Sequence, residues 1–178
     1  MEGRTLVFID ESGFYLLPTA VRTYAPCGET PELRYRHWDH LSTISAITPA
    51  GKLYTMTQRE SFSGPTSVKF LKHLLRHIAG KLLIVWDGLR AHRGREVKEF
   101  LRQGGTRRIY LARLPSYAPD LNPDEGVWNY LKRVELKNLC CHNLDELRAE
   151  LRKAIERLRH KTGIIKGFIR QVYPELCV

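Results

Sequence analysis

Short, continuously apolar runs alternate along this chain with longer segments whose apolar residues recur at helical spacing, a pattern that predicts an α/β domain. The first run, Thr5–Asp10, reads as a buried strand that ends in Asp10 and is broken by Glu11, Ser12 and Gly13. Phe14–Leu17 and Val21–Tyr24 follow as minor strands or an irregular excursion, and residues 26–31 are a loop by composition. Leu41–Thr48 and Leu53–Gln58, joined by Pro49, Ala50, Gly51 and Lys52, predict an antiparallel hairpin; Leu41, Thr43, Ser45 and Ile47 alternate with Ser42, Ile44, Ala46 and Thr48. A helix over roughly 67–79, capped by Thr66 or Ser67, turns Val68, Leu71, Leu74, Leu75 and Ile78 inward and stops at Gly80. Lys81–Trp86 is a second strongly apolar strand, and it too ends in an acid, Asp87.

A basic amphipathic helix is expected over about 94–103, stopped by Gly104 and Gly105, and then a short strand over Arg107–Leu111. The next stretch, Leu114 to Lys132, changes character midway. Pro115, Pro119 and Pro123 forbid a continuous helix in its first half. After that, Asn122 as cap, Pro123 in the first turn, and Asp124 and Glu125 behind it mark a helix start, with Val127, Trp128 and Leu131 on one face. Asn143 and Glu146 then form a capping-box-like pair for a helix striped by Leu144, Leu147, Leu151, Ile155 and Leu158. Gly163–Val172 is a last helix before Pro174.

Three carboxylates thus fall at ends of rigid elements: Asp10, Asp87 and Glu125. An acid in a first helical turn ordinarily complements the helix dipole, and a strand-end aspartate ordinarily makes a turn. Jointly they suggest more, because adjacent parallel strands bring their carboxyl ends together, where α/β sheets collect ligands. Like charges so gathered repel, and bound cations offset that repulsion.

Charge supports the same direction. Lys and Arg outnumber Asp and Glu by 29 to 19, a net charge of +10, which fits a polyanionic partner such as nucleic acid. Arg90, Arg93 and Arg95 belong to a basic block that runs into the acidic stretch. Four cysteines without a CxxC pair argue against a disulfide framework, and Cys140, Cys141 and His142 lack a second ligand pair for zinc. His73 and His77 have the spacing of a metal pair on one helix but no third ligand nearby. No apolar run is long enough for a signal peptide or a membrane span, so no membrane partner and a cytoplasmic location are expected.

The runs FIDESG (8–13), VWDGLRAH (85–92) and LPSYAPDLNPDEGVWNYLK (114–132) resemble, in order, the three signature blocks of DDE transposases of the mariner superfamily, most closely the bacterial insertion-sequence branch. The resemblance implies a ribonuclease-H-like α/β fold with a mixed five-stranded sheet flanked by helices. It implies that Asp10, Asp87 and Glu125 hold two Mg²⁺ ions, with Mn²⁺ as a substitute. The implied activity is DNA cleavage at transposon ends followed by strand transfer into target DNA, by a homodimer. His92 matches a family histidine and is read as a phosphate contact or as support behind the ligands; Arg90, Arg93, Arg95 and Lys132 are the expected DNA-binding residues. Asn122 and Glu11 are expected as supporting or structural neighbours, and Asp124 is expected to point away from the metals. Gly88 stands where many relatives carry Asn. The whole of 1–178 is read as one catalytic domain with a C-terminal helical extension over 143–178. The helix-turn-helix reader of transposon ends is expected to be absent, with a separately encoded partner, a fragment or a decayed remnant as the readings. The alternatives are an inactive DNA-binding remnant and a nuclease without strand transfer.

Overall fold

In a computed structural model describing residues 3–17, 19–22, 24–28, 39–87, 94–115 and 118–177, the N-terminal apolar run becomes the central strand of a five-stranded sheet. The strands are β1 (Arg4–Tyr15), β2 (His40–Ile47), β3 (Leu53–Gln58), β4 (Lys81–Trp86) and β5 (Ile109–Arg113), in the order β3-β2-β1-β4-β5. β2 is antiparallel to both β1 and β3, while β1–β4 and β4–β5 are parallel, so the sheet is mixed. Helices α1 (Gly64–His77), α2 (Arg95–Arg102), α3 (Glu125–Tyr130), α4 (Leu144–Arg159) and α5 (Thr162–Val172) cover its faces.

The period-2 alternation of β1 and β2 divides the core in two. Val7, Ile9, Ile44 and Ala46 face α1 and α2, meeting Phe70, Leu71, Leu74 and Val97. Phe8, Phe14, Leu41 and Ile47 face the opposite way, against Val127, Trp128 and Leu131 of α3 and its continuation and against Leu147, Leu151, Ile155, Leu158, Ile165 and Ile169. Each such large apolar side chain contributes about 1.5–3 kcal/mol on burial. The C-terminal helices α4 and α5 therefore supply most of the layer that closes this face.

Several boundaries differ from the sequence expectation. β1 does not end at Asp10: Glu11, Ser12 and Gly13 continue it, because β2 offers antiparallel partners as far as Tyr15↔His40. Its parallel pairing with β4 does stop early, at Phe8↔Val85. α1 starts at Gly64 with Ser63 as its N-cap, earlier than the Thr66 or Ser67 cap expected, and the Ser63 amide donates to Thr66 Oγ1 at 2.8 Å. β5 begins at Ile109, since Gly105–Arg107 form a 3-10 turn. The Arg108 guanidinium caps the end of α1, donating to the carbonyls of Leu75, Ile78 and Gly80.

Asn143 caps α4 as expected, accepting from the amides of Asp145 (3.0 Å) and Glu146 (2.9 Å), while Glu146 reaches back to the His142 amide. The hairpin turn between β2 and β3 needs Gly51, whose φ is +77° and whose Cβ would stand 2.7 Å from the Thr162 carbonyl. α3 and α5 are similarly close: a Cβ on Gly126 would lie 2.6 Å from the Phe168 ring. Glu125 thus sits on a helix held tightly against its neighbour. Cys27, Cys140 and Cys141 are free thiols, and no helix among the described residues is long and apolar enough to cross a membrane.

Candidate active site

Asp10 and Asp87 each lie two residues beyond the last parallel pair, Phe8↔Val85, so the register carries both to the same end of β1 and β4, where the strands part. Asp10 shares the sheet face of Phe8 and Phe14, beneath α3. Its Oδ2 accepts a hydrogen bond from Trp128 Nε1 at 2.8 Å. Burial raises the Asp10 carboxyl to about 7; the Trp128 bond opposes this, and the charges of Glu125 and, more weakly, Asp87 add to it. The three acids are thus within electrostatic reach through Asp10. Leu114, which opens the acidic stretch, donates its amide to the Trp86 carbonyl at 3.0 Å and so keeps that stretch beside Asp87.

The turn that delivers Glu125 differs in detail from the expected cap. The helix begins at Glu125, with Asp124 rather than Asn122 in the N-cap position. Asn122 still organises the approach: its Oδ1 accepts from the Asp124 amide at 3.2 Å, and its Nδ2 makes a long contact of 3.5 Å with the Ile9 carbonyl. The Asn122 backbone carbonyl accepts from the Glu125 amide, and the Pro123 carbonyl from Gly126. Pro123 is buried in this turn.

Asp124, expected to point away from the metals, is fully buried, and its Oδ1 accepts from Ser45 Oγ at 2.7 Å. Burial, then the Asp10 charge, holds its carboxyl well above the ordinary range; the Ser45 hydroxyl pulls the other way, and the Glu125 charge adds to the rise. Ser45 and Trp128 are the two other residues that sequence reasoning did not assign to the site. A signal existed for both: a buried indole N–H needs an acceptor, and Ser45 is a polar residue on the β2 face of Leu41 and Ile47.

Lys132 lies in the π-helical turn Leu131–Glu135 that continues α3. Its Nζ donates to Ser12 Oγ at 2.7 Å and stands 5.3 Å from the Phe14 ring centroid. Burial lowers the affinity of this ammonium for its proton, while the Glu125 and Asp10 charges oppose that. Lys132 therefore faces the acids instead of open surface. Glu11, the next residue after Asp10 in β1, pairs with Ile44 and belongs to the other sheet face. Arg95 is exposed in the first turn of α2. Arg90, His92 and Arg93 lie outside the described residues.

As the side chains stand, no three His, Cys, Asp or Glu among the described residues gather closely enough to hold a metal ion. Asp10 is turned to Trp128 and Asp124 to Ser45. The His73 and His77 rings on α1 lie 4.2 Å apart and tilted at 42°, and the His77 Nδ1 meets the His73 carbonyl at 2.8 Å.

The fold matches the mariner Mos1 paired-end complex with Mg at a TM-score of 0.74 and 14% identity, covering 97% of this chain and 53% of that one. It matches the Mos1 strand transfer complex at 0.63 and 16%, covering 95% and 54%. The catalytic domain of Mos1 mariner transposase matches at 0.60 and 13%, covering 96% of this chain and 82% of that one. The chain thus spans about half the length of the Mos1 transposase chains in those complexes and most of the catalytic domain. No curated protein sequence matches it. The mixed sheet flanked by helices is the ribonuclease-H-like fold of DDE enzymes. A family model described as DDE superfamily endonuclease matches residues 5–148, and the chain belongs to that family.

Proposed function

We propose that this chain is the catalytic domain of a mariner-like transposase of an insertion sequence, in which Asp10, Asp87 and Glu125 form a divalent-metal centre for DNA cleavage and strand transfer. The observation that supports this reading is the β1–β4 register, which carries Asp10 and Asp87 to the same end of the two strands, with Glu125 close enough to raise the proton affinity of Asp10. An all-oxygen donor set suits a hard cation such as Mg²⁺ or Mn²⁺. A carboxyl that burial and two like charges lift to about 7 gains from a cation that neutralises it. The residues therefore fit the ions. The Mos1 structures solved with Mg and with Mn, as paired-end complexes, support the same assignment.

Asp10, Asp87 and Glu125 would hold the two ions, which supply, when bound, activation of the attacking oxygen and stabilisation of the leaving oxygen of a phosphodiester. Trp128 orients Asp10 through Nε1, fixing which carboxylate oxygen stays free. Lys132, held by Ser12 beside both acids, is placed to meet a phosphate oxygen. Arg95, with Arg90, His92 and Arg93, extends the cationic surface for the DNA backbone. The polyanionic partners are transposon ends and target DNA, bound by a homodimer.

Plasmid chemistry tests the proposal. With Mg²⁺, the purified chain converts supercoiled plasmid to nicked circles, and Glu125→Gln abolishes this while still binding duplex DNA. A labelled 3′-hydroxyl oligonucleotide becoming joined to plasmid identifies strand transfer; nicking without joining identifies a nuclease. DNA binding with no cleavage in any divalent metal would sink the reading.

A further inference from the structure

We propose that the buried pair Ser45–Asp124 is a positioning device that sets the separation between Asp10 and Glu125, with Asp124 acting through its hydrogen bond and not as a metal ligand. This rests on the reading of Asp10 and Glu125 as metal-holding residues.

Asp124 immediately precedes Glu125, and its side chain turns from the helix mouth to the sheet floor, where Ser45 meets it. Ser45 is itself fully buried and stands directly opposite Asp10 in the β1–β2 pairing. The first turn of α3 is therefore anchored on the rung that carries Asp10. The far side of the same turn is anchored there too: the Asp124 carbonyl accepts from the amides of Val127 and Trp128, and the Trp128 indole donates to Asp10. Asp10, Trp128, Asp124 and Ser45 close a ring of contacts, and Glu125 is fixed within it.

The chemistry of Asp124 argues against a merely structural role. An acid that complements a helix dipole does so from an exposed position and gains only a few tenths to about 1 kcal/mol. Asp124 is fully buried beside two other acids, and its Oδ2 has no hydrogen-bond partner among the described residues. A half-satisfied buried carboxyl costs stability. An apolar residue of similar size would fill the space more favourably, but it would release the turn from Ser45. Groups that orient metal ligands from behind are commonly worth about ten- to a hundredfold in metal affinity.

The test measures Mn²⁺ affinity by calorimetry, together with the metal-free melting temperature, for the full chain and for Ser45→Ala, Asp124→Leu, Asp124→Asn and Glu125→Gln. Ser45→Ala and Asp124→Leu should weaken Mn²⁺ binding by about ten- to a hundredfold, with metal-free melting of Asp124→Leu unchanged or raised. Asp124→Asn keeps an oxygen for Ser45 and should stay within about threefold of the wild type, by the same scale. The proposal is overturned if Asp124→Asn is as weak as Asp124→Leu, since the charge and not the bond would then matter. It is also overturned if Ser45→Ala and Asp124→Leu bind as the wild type does. Unchanged binding in Glu125→Gln overturns the metal-centre reading instead, and a wild type that binds no Mn²⁺ overturns both.

Discussion

The Trp128 indole donates to Asp10 across the gap between α3 and β1, at 2.8 Å, from a side chain that is itself buried against Phe14. One residue thus joins the apolar core to the acidic site. Trp128→Phe keeps most of the packing and removes the donor. The Asp10 carboxyl, already near 7, should then titrate higher, because the bond that favours its charged form is gone. A carboxyl-carbon NMR titration of the metal-free protein reads this directly, and stability should fall by about 1–3 kcal/mol.

The raised Asp10 carboxyl sets a pH dependence of defined sign. Between its ordinary value of 3.8 and about 7, the folded protein holds a proton that the unfolded chain releases. Metal-free stability should therefore fall as pH rises through that window, by roughly 1.4 kcal/mol per unit of pH at most. Glu135 acts oppositely and at lower pH. Burial favours its neutral form, but Lys161 and Arg157 outweigh that and depress its titration, so its contribution is present above about 4.5 and is lost as pH falls. Chemical denaturation from pH 3 to pH 8 should show both limbs. Asp10→Asn should make the upper one shallower, leaving the part that the raised Asp124 carboxyl contributes, and raise metal-free stability at pH 8.

Cation binding should reverse the Asp10 effect by replacing its proton. Adding Mg²⁺ or Mn²⁺ near pH 7 should raise the melting temperature and release protons measurable as a buffer-dependent binding enthalpy. Asp10→Asn should lose both responses. A metal response that survives that substitution points to a site elsewhere.

Lys132 is held by Ser12 within electrostatic reach of Glu125 and Asp10, so its loss should act on DNA already near the acids. Lys132→Ala should weaken duplex binding at all sequences alike and reduce the slope of log affinity against log salt by about 1. Fluorescence anisotropy across a salt series measures it. Arg95→Ala, exposed on α2, serves as the comparison for a purely peripheral phosphate contact.

Much of the fold is legible in the sequence because its signals are local. The apolar runs of β1 and β4, the alternation of β2 and the Asn143 cap all state their structure within a few residues. What local pattern cannot state is what a partner strand permits. Glu11, Ser12 and Gly13 look like a strand terminator, yet β2 extends the pairing through them. The burial of Asp124 is hidden from local pattern for a related reason. Acids in a first helical turn normally face water, and only the arrival of Ser45, 79 residues earlier in the chain, gives this one a buried partner. The contact of Lys132 with Ser12 is likewise invisible to local pattern, because it joins residues 120 positions apart.

The metal centre itself is tested most directly by anomalous diffraction from crystals soaked in Mn²⁺ at pH 8. The account predicts Mn²⁺ density bounded by Asp10, Asp87 and Glu125, with Trp128 still on Asp10 and Asp124 still on Ser45. Density bound through Asp124 or Glu11, or at His73 and His77 with none between the three acids, would contradict it.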